Sequence, residues 1–189
     1  MQDSTTSPNG VDTNALAARI DRPVVLVGLM GVGKSTVGRR LAAALGSDFI
    51  DADEEIEEAA QMSISEIFAE FGENYFRDGE RRVIARLMEE KHGVIATGGG
   101  AFVNDETRAL ILANAIAVWI DADIDTLVER TGRRNTRPLL KQGDPTEILT
   151  RLHREREPFY SQAPIHVRSE EGPHMRTANA ILEAIDQWL

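Results

Sequence analysis

Lys34 and Ser35 close the string Gly28-Leu29-Met30-Gly31-Val32-Gly33-Lys34-Ser35-Thr36, which has the spacing G-x-x-x-x-G-K-[ST]. That spacing suits phosphate chemistry. Glycines let backbone N–H groups close around phosphate oxygens without Cβ clashes. A following helix adds unpaired donors and the positive end of its dipole. A lysine at this point reaches β- and γ-phosphates, and a serine hydroxyl can bind Mg²⁺. A glycine-rich turn before a helix is the bland alternative. The flanks argue against it. Val24-Val25-Leu26-Val27 is the continuous apolar run of a strand buried on both faces. Val37, Leu41 and Leu45 form one stripe of an amphipathic helix. Strand, glycine loop and helix together are the context that makes the motif a nucleoside triphosphate site.

Further strings hold groups that could act on a second substrate. Asp51 and Asp53 end the run Phe49-Ile50-Asp51-Ala52-Asp53. In an extended chain, residues two apart face the same side, about 7 Å apart. Two carboxylates at a strand's carboxyl end lie where open α/β sheets bind ligands. One can hold Mg²⁺ through water, and the other can accept a proton from a hydroxyl. Otherwise Asp53 caps a helix starting at Glu54 and Asp51 is a loop acid. Arg77 and Glu80 are three apart on an expected helix and can pair. Such a pair is either a surface ion pair or a fork held ready for a substrate carboxylate. Gly98-Gly99-Gly100 allow backbone to approach a ligand, or simply make a flexible turn. Arg154 and Arg156 lie near the end of a helix begun at Pro145. His92, His153, His166 and His174 show no metal-ligand spacing and read as surface or incidental.

These residues need a frame. From Pro23 onward, apolar runs at Val24–Val27, Ser47–Ile50, Val94–Thr97, Ala115–Ile120 and Ile165–Val167 alternate with helical patterns. That alternation predicts a parallel sheet with helices on both faces. Ser63-x-x-Glu66 signals a capping box for a helix with Ile64, Ile67, Phe68 and Phe71 on its apolar face. Asp144-Pro145 opens another helix. Pro173 opens the last, whose stripe is Ala178, Ile181, Leu182, Ile185 and Leu189. Residues 1–14 are polar and read as a disordered tail, with short helical character at Ala15–Ile20.

The chain of 189 residues carries a net charge of −10, which disfavours nucleic acid and anionic membranes as partners. It has no cysteine, so disulfides, thiolate zinc sites and cysteine catalysis are excluded. No secretory signal or membrane span is expected, which suits a cytoplasmic protein. Within this acidic chain, Arg130 to Arg156 contain eight Lys/Arg against three Asp/Glu. Beside a phosphate loop, such a basic island is expected to be a lid over the nucleotide, excluding water as a competing acceptor. A solvated arginine-rich loop is the alternative.

In order, the strings G-L-M-G-V-G-K-S-T, F-I-D-A-D, F-R-D-G-E, T-G-G-G-A, R-P-L-L and R-E-P-F-Y resemble those of the shikimate kinases, phosphate-loop kinases of aromatic amino-acid biosynthesis. The resemblance covers roughly Val24 to Leu189. It implies a three-layer α/β/α fold whose five parallel strands run in the order 2-3-1-4-5. It implies one domain over 21–189, a substrate-binding segment at about 53–80, a lid at about 131–143, and an extension over 1–20. The implied reaction is transfer of the γ-phosphoryl group of ATP to the 3-hydroxyl of shikimate, with Mg²⁺.

The resemblance also implies roles for single residues. Gly31, Val32, Gly33, Lys34, Ser35 and Thr36 bind ATP phosphates, with Ser35 a Mg²⁺ ligand and Asp51 supporting the metal through water. Asp53 binds shikimate hydroxyls and is the candidate base. Arg77 and Arg156 grip the shikimate carboxylate, and Gly99 approaches the ring by its backbone. Arg137 is the lid arginine on the ATP phosphates, and Arg130 stacks on adenine. Glu171 stands where some relatives carry a basic or amide side chain, and is left out of the site. Two other functions compete: a kinase of this fold for gluconate or a nucleoside monophosphate, and a non-catalytic binding module. Arg77, the glycine triplet and Arg156 fit a carboxylated ring polyol and oppose the first. The full set Lys34, Asp51, Asp53, Arg77, Arg137 and Arg156 opposes the second. No large apolar stripe is left over, so a monomer is expected.

Overall fold

The computed structural model describes residues 6–91, 93–133, 140 and 143–189. Its strands are β1 (Val24–Val27), β2 (Phe49–Asp51), β3 (Val94–Ala96), β4 (Ile116–Asp121) and β5 (Ile165–Arg168). They form one sheet in the order β2-β3-β1-β4-β5, with every pairing parallel. The helices are α1 (Thr13–Arg19), α2 (Lys34–Leu45), α3 (Ala52–Ala60), α4 (Ile64–Phe71), α5 (Glu73–Glu89), α6 (Asp105–Asn114), α7 (Ile124–Gly132), α8 (Pro145–Tyr160) and α9 (His174–Trp188). A short 3₁₀ turn spans Ala101–Val103.

Burial separates centre from edge. All four residues of β1 are fully buried, whereas β5 alternates buried and exposed. A strand flanked on both sides and covered on both faces reads as a continuous apolar run, and an edge strand does not. Val24 pairs with Val94 on one side and Ile116 on the other. The loop after β1 therefore emerges in the middle of the sheet's carboxyl edge, between the ends of β3 and β4. A second, smaller core of Ile56, Ile67 and Phe76 holds α3, α4 and α5 together. That cluster is separate from the main core.

Four expectations need correction. The expected extension over 1–20 ends earlier, because Val11 and Leu16 join the main core and Asp12 caps α1 by accepting from the N–H groups of Asn14 and Ala15. Apolar side chains only five apart were enough to anchor an otherwise polar stretch. The second strand begins at Phe49 rather than Ser47. Asp48 instead turns its carboxylate to the Gly93 N–H at 2.7 Å, just past the αL residue Gly46 that stops α2. The capping box at Ser63 and Glu66 forms, but Phe71 leaves the apolar face and stacks outside on Tyr75, with ring centroids 4.5 Å apart. Leu189 likewise ends exposed.

Candidate active site

The phosphate loop is set by β1 behind it and α2 ahead. Gly33 is the N-cap of α2, with φ of +96°, a left-handed conformation that favours glycine. It offers no side-chain acceptor, so the first N–H groups of α2 are left for an outside anion. Lys34 Nζ donates to the carbonyls of Gly28 at 2.7 Å and Leu29 at 2.9 Å, which folds the ammonium back across the loop. Val32 is buried, so its side chain packs and only its backbone can serve a ligand. A cleft of about 520 Å³ opens over Gly31, Gly33, Lys34, Ser35 and Thr36 and runs to Asp51 and Asp53.

The two aspartates are not two apart on a strand, as the extended-chain argument supposed. Asp51 ends β2 and is the N-cap of α3, while Asp53 lies in the first turn of that helix. Asp51, not Asp53, does the capping: its Oδ1 accepts from the Asp53 N–H at 2.9 Å. Its Oδ2 accepts from Ser35 Oγ at 2.7 Å. A hydroxyl and a carboxylate one hydrogen bond apart, at the mouth of a phosphate loop, are hard oxygen donors of the type Mg²⁺ takes. Among the described residues no larger group of acids and histidines gathers to hold an ion. A cation here must complete its shell from phosphate and water, which is how Mg²⁺ is commonly held.

Asp53 is half-buried, and its carboxyl is pushed up to about 6, by desolvation first and by the charge of Asp51 second. Lys34 and Arg77 oppose the rise. A carboxylate tuned towards neutrality suits proton abstraction near physiological pH.

Two arginines, Arg77 and Arg156, line a second cavity with Gly100, one residue on from the Gly99 that lines the cleft. Arg77 projects from α5, and its Nη1 donates to Glu80 at 2.8 Å. Glu80 is 1% exposed, so this is no surface pair. Burial pushes the Glu80 carboxyl up to about 7, with Arg77 holding it down against that rise. Arg156 projects from α8, and its buried Nη1 has no hydrogen-bond partner among the described residues. Both arginines lie against the glycine triplet. A Cβ on Gly99 would lie 3.0 Å from Arg156 Nη1, and one on Gly100 would collide with the Arg77 guanidinium. A side chain at either glycine would push the guanidinium beside it out of place.

Arg130, in the last turn of α7, donates to the Val32 carbonyl and to Ser169 Oγ, both at 3.2 Å, and to the Glu170 carbonyl at 3.2 Å. It bridges the phosphate loop to the segment between β5 and α9. Arg137 and most of the expected lid lie outside the described residues, although Arg133 lines the cleft.

One reading of the histidines needs correction. His174, expected to be incidental, lines the cleft, and a Cβ on Gly33 would lie 2.9 Å from its Cε1. Burial and the nearby charges of Arg130 and Arg40 lower its pKa, favouring neutral imidazole. Its only signal in the sequence is its place one residue past the helix-opening Pro173. His153 is also engaged, with Nε2 3.0 Å from Asp121. His92 lies outside the described residues.

A parallel sheet of order 2-3-1-4-5, a glycine loop and lysine after its central strand, and an acceptor pocket beside it define a phosphate-loop kinase. A family model described as shikimate kinase matches residues 30–186. The shikimate kinase of Novosphingobium aromaticivorans is 64% identical over 182 residues, covering 94% of both chains. That of Caulobacter vibrioides is 58% identical over 166 residues, covering 88% of this chain and 83% of the relative. The structure of Acinetobacter baumannii shikimate kinase in complex with shikimate superposes with a TM-score of 0.85 at 36% identity, covering 91% of this chain and 97% of that one. A gluconokinase from Sinorhizobium meliloti shares the fold alone, at 18% identity and a TM-score of 0.61. The chain belongs to the shikimate kinase family. It is an ATP-dependent phosphotransferase acting on a hydroxyl group.

Proposed function

We propose that this chain transfers the γ-phosphoryl group of ATP to the 3-hydroxyl of shikimate, giving shikimate 3-phosphate and ADP. The observation that carries the reading is the arginine pair beside the cleft. Two guanidiniums lie against Gly99 and Gly100, one held by buried Glu80 and one with an unpaired buried Nη1, and Asp53 lies against Gly98 in the cleft that the phosphate loop lines. A carboxylate on a small polyol answers both arginines while a ring hydroxyl meets Asp53.

In this reading Asp53 takes the proton of the acceptor hydroxyl as that oxygen bonds to the γ-phosphorus and the bond to the β-bridging oxygen breaks. The loop backbone at Gly31–Gly33, the Thr36 end of the first turn, and Lys34 cradle the leaving phosphates. Lys34 leaves the carbonyls of Gly28 and Leu29 to do so. Ser35 would hold Mg²⁺, with Asp51 supporting it through water, and the ion would supply neutralisation of phosphate charge. Phosphoryl transfer needs positioning and neutralisation more than covalent help, and those are what these groups offer. Arg130 flanks adenine and Arg137 meets the phosphates from the lid. The same proposal has the protein act as a cytoplasmic monomer. Among the described residues no helix is long and apolar enough to cross a membrane.

The test is ADP release with Mg²⁺–ATP and, in turn, shikimate, gluconate, nucleoside monophosphates and no acceptor. Release that depends on shikimate is expected. Release with another acceptor instead would overturn the roles of Arg77 and Arg156, and ATP binding without release would favour a binding module.

A further inference from the structure

Tyr160 ends α8, one turn beyond Arg156, and is 1% exposed. Its ring packs 6.0 Å from that of Trp119 on β4. Its hydroxyl donates to the carbonyl of Gly99. The same Gly99 meets the guanidinium of Arg156 from the other direction. Burial pushes the Tyr160 hydroxyl pKa up, with Arg156 close enough to oppose it, so the phenol stays protonated and remains a donor.

A trans peptide points its carbonyl and the next N–H in opposite directions. By holding the Gly99 oxygen towards α8, Tyr160 turns the Gly100 N–H away from α8. Among the described residues that N–H meets no protein acceptor. A second tie closes the same joint from outside. Arg108 of α6 donates to the carbonyls of Phe102 at 3.3 Å and Val103 at 3.2 Å, and to Gln162 just past α8 at 3.1 Å. Its guanidinium also lies 5.0 Å from the Phe159 ring.

We infer that Tyr160 is a positioning residue for the acceptor: its hydroxyl locks the Gly99 peptide to the helix carrying Arg156, so that backbone and guanidinium meet the substrate as one jaw, the backbone at the ring and the guanidinium at the carboxylate. Arg108 is the outer pin of that jaw. The inference rests on the reading that Arg156 and Gly99 meet the acceptor. Two flexible elements held separately would each have to be ordered on binding, at a cost in acceptor affinity. Joined in advance, they are ordered already.

The test is steady-state kinetics of Tyr160→Phe, which keeps the ring against Trp119 and removes only the donor, with shikimate and ATP varied separately. The shikimate KM is expected to rise about tenfold, with kcat within about threefold and the ATP KM unchanged. A shikimate KM like that of the wild type, or an equal rise for both substrates, overturns the inference. Arg156→Lys is measured beside it. If Arg156→Lys raises the shikimate KM and Tyr160→Phe does not, Tyr160 alone is misassigned. If neither does, the reading beneath it fails as well. Should Tyr160→Phe not fold, Arg108→Gln carries the test. A shikimate-selective rise of about threefold supports the jaw, and its absence overturns it.

Discussion

The phosphate end and the arginine-lined end of the site, two neighbouring cavities, are built in different ways. The phosphate end comes from nine consecutive residues between a fully buried strand and the first turn of α2, and its donors are mostly backbone. The proposed acceptor end takes Asp53 from α3, Arg77 from α5, the glycines after β3 and Arg156 from α8, and its charged groups are side chains. The phosphate end sits on the main core, whereas Arg77 sits on the small cluster around Ile56, Ile67 and Phe76. A site made of contiguous backbone is rigid because its strand is rigid. A site made of distant side chains needs supporting partners, and Glu80 and Tyr160 are placed to act as such. The contrast predicts that variants at one end disturb ATP or chemistry, and variants at the other disturb the acceptor.

The largest effect should come where the two ends meet. Asp53→Asn is predicted to lower kcat by roughly 10³-fold or more, within reach of a lost general base, while ATP affinity by nucleotide titration stays near that of the wild type. Near-normal turnover would remove Asp53 from its role. Lys34→Met should cost about 10²–10³-fold in kcat/KM for ATP, as for loss of one preorganised electrostatic contact, and should leave shikimate binding alone. Arg77→Ala should raise the shikimate KM by about 30- to 100-fold with little change for ATP, the scale of one charge-assisted bidentate contact. A fall in ATP affinity instead would blur the division between the ends.

Two smaller effects concern protons. In the proposed role Asp53 must be ionised to act as base, and its carboxyl is pushed up to about 6. The kcat/KM for shikimate should therefore be flat above pH 7 and about tenfold lower at pH 5, with an acid limb that Asp53→Asn lacks. Glu80 bears on stability. Its folded value of about 7 lies above its ordinary 4.5, so between these the folded state holds a proton the unfolded state has released. That contribution favours folding at low pH and is lost as pH rises through 7. Glu80→Gln should thus melt at a higher temperature than the wild type at pH 8 and about the same at pH 5. Its shikimate KM should still rise several-fold, because Arg77 loses its holder. A variant less stable than the wild type at pH 8 would show that the ion pair outweighs the burial of its carboxylate.

Much of this was legible residue by residue. The central strands β1, β3 and β4 announced themselves as apolar runs because burial on both faces leaves no room for polar residues. The edge strand β2 was shifted by two residues, since an edge strand tolerates what a centre does not and Asp48 was free to turn to Gly93. Leu16 and Val11 were missed because two apolar side chains in a polar stretch make no periodic pattern. Asp51 and Asp53 were found, but for the wrong geometric reason. A spacing of two reads alike on a strand and across a strand-to-helix junction, and only the cap bond at Asp51 tells them apart.

The sequence by itself determined the class of fold, the phosphate loop and the pairing of Arg77 with Glu80, because each depends on neighbours within about ten residues. The tertiary structure decided that Glu80 is buried, that Arg156 and Arg77 lie against one glycine triplet, that His174 lies against Gly33, and that Tyr160 joins α8 to Gly99. Those contacts join residues far apart along the chain, and no local preference encodes them. They follow from packing helices on the two faces of one sheet, which brings distant side chains to the same edge.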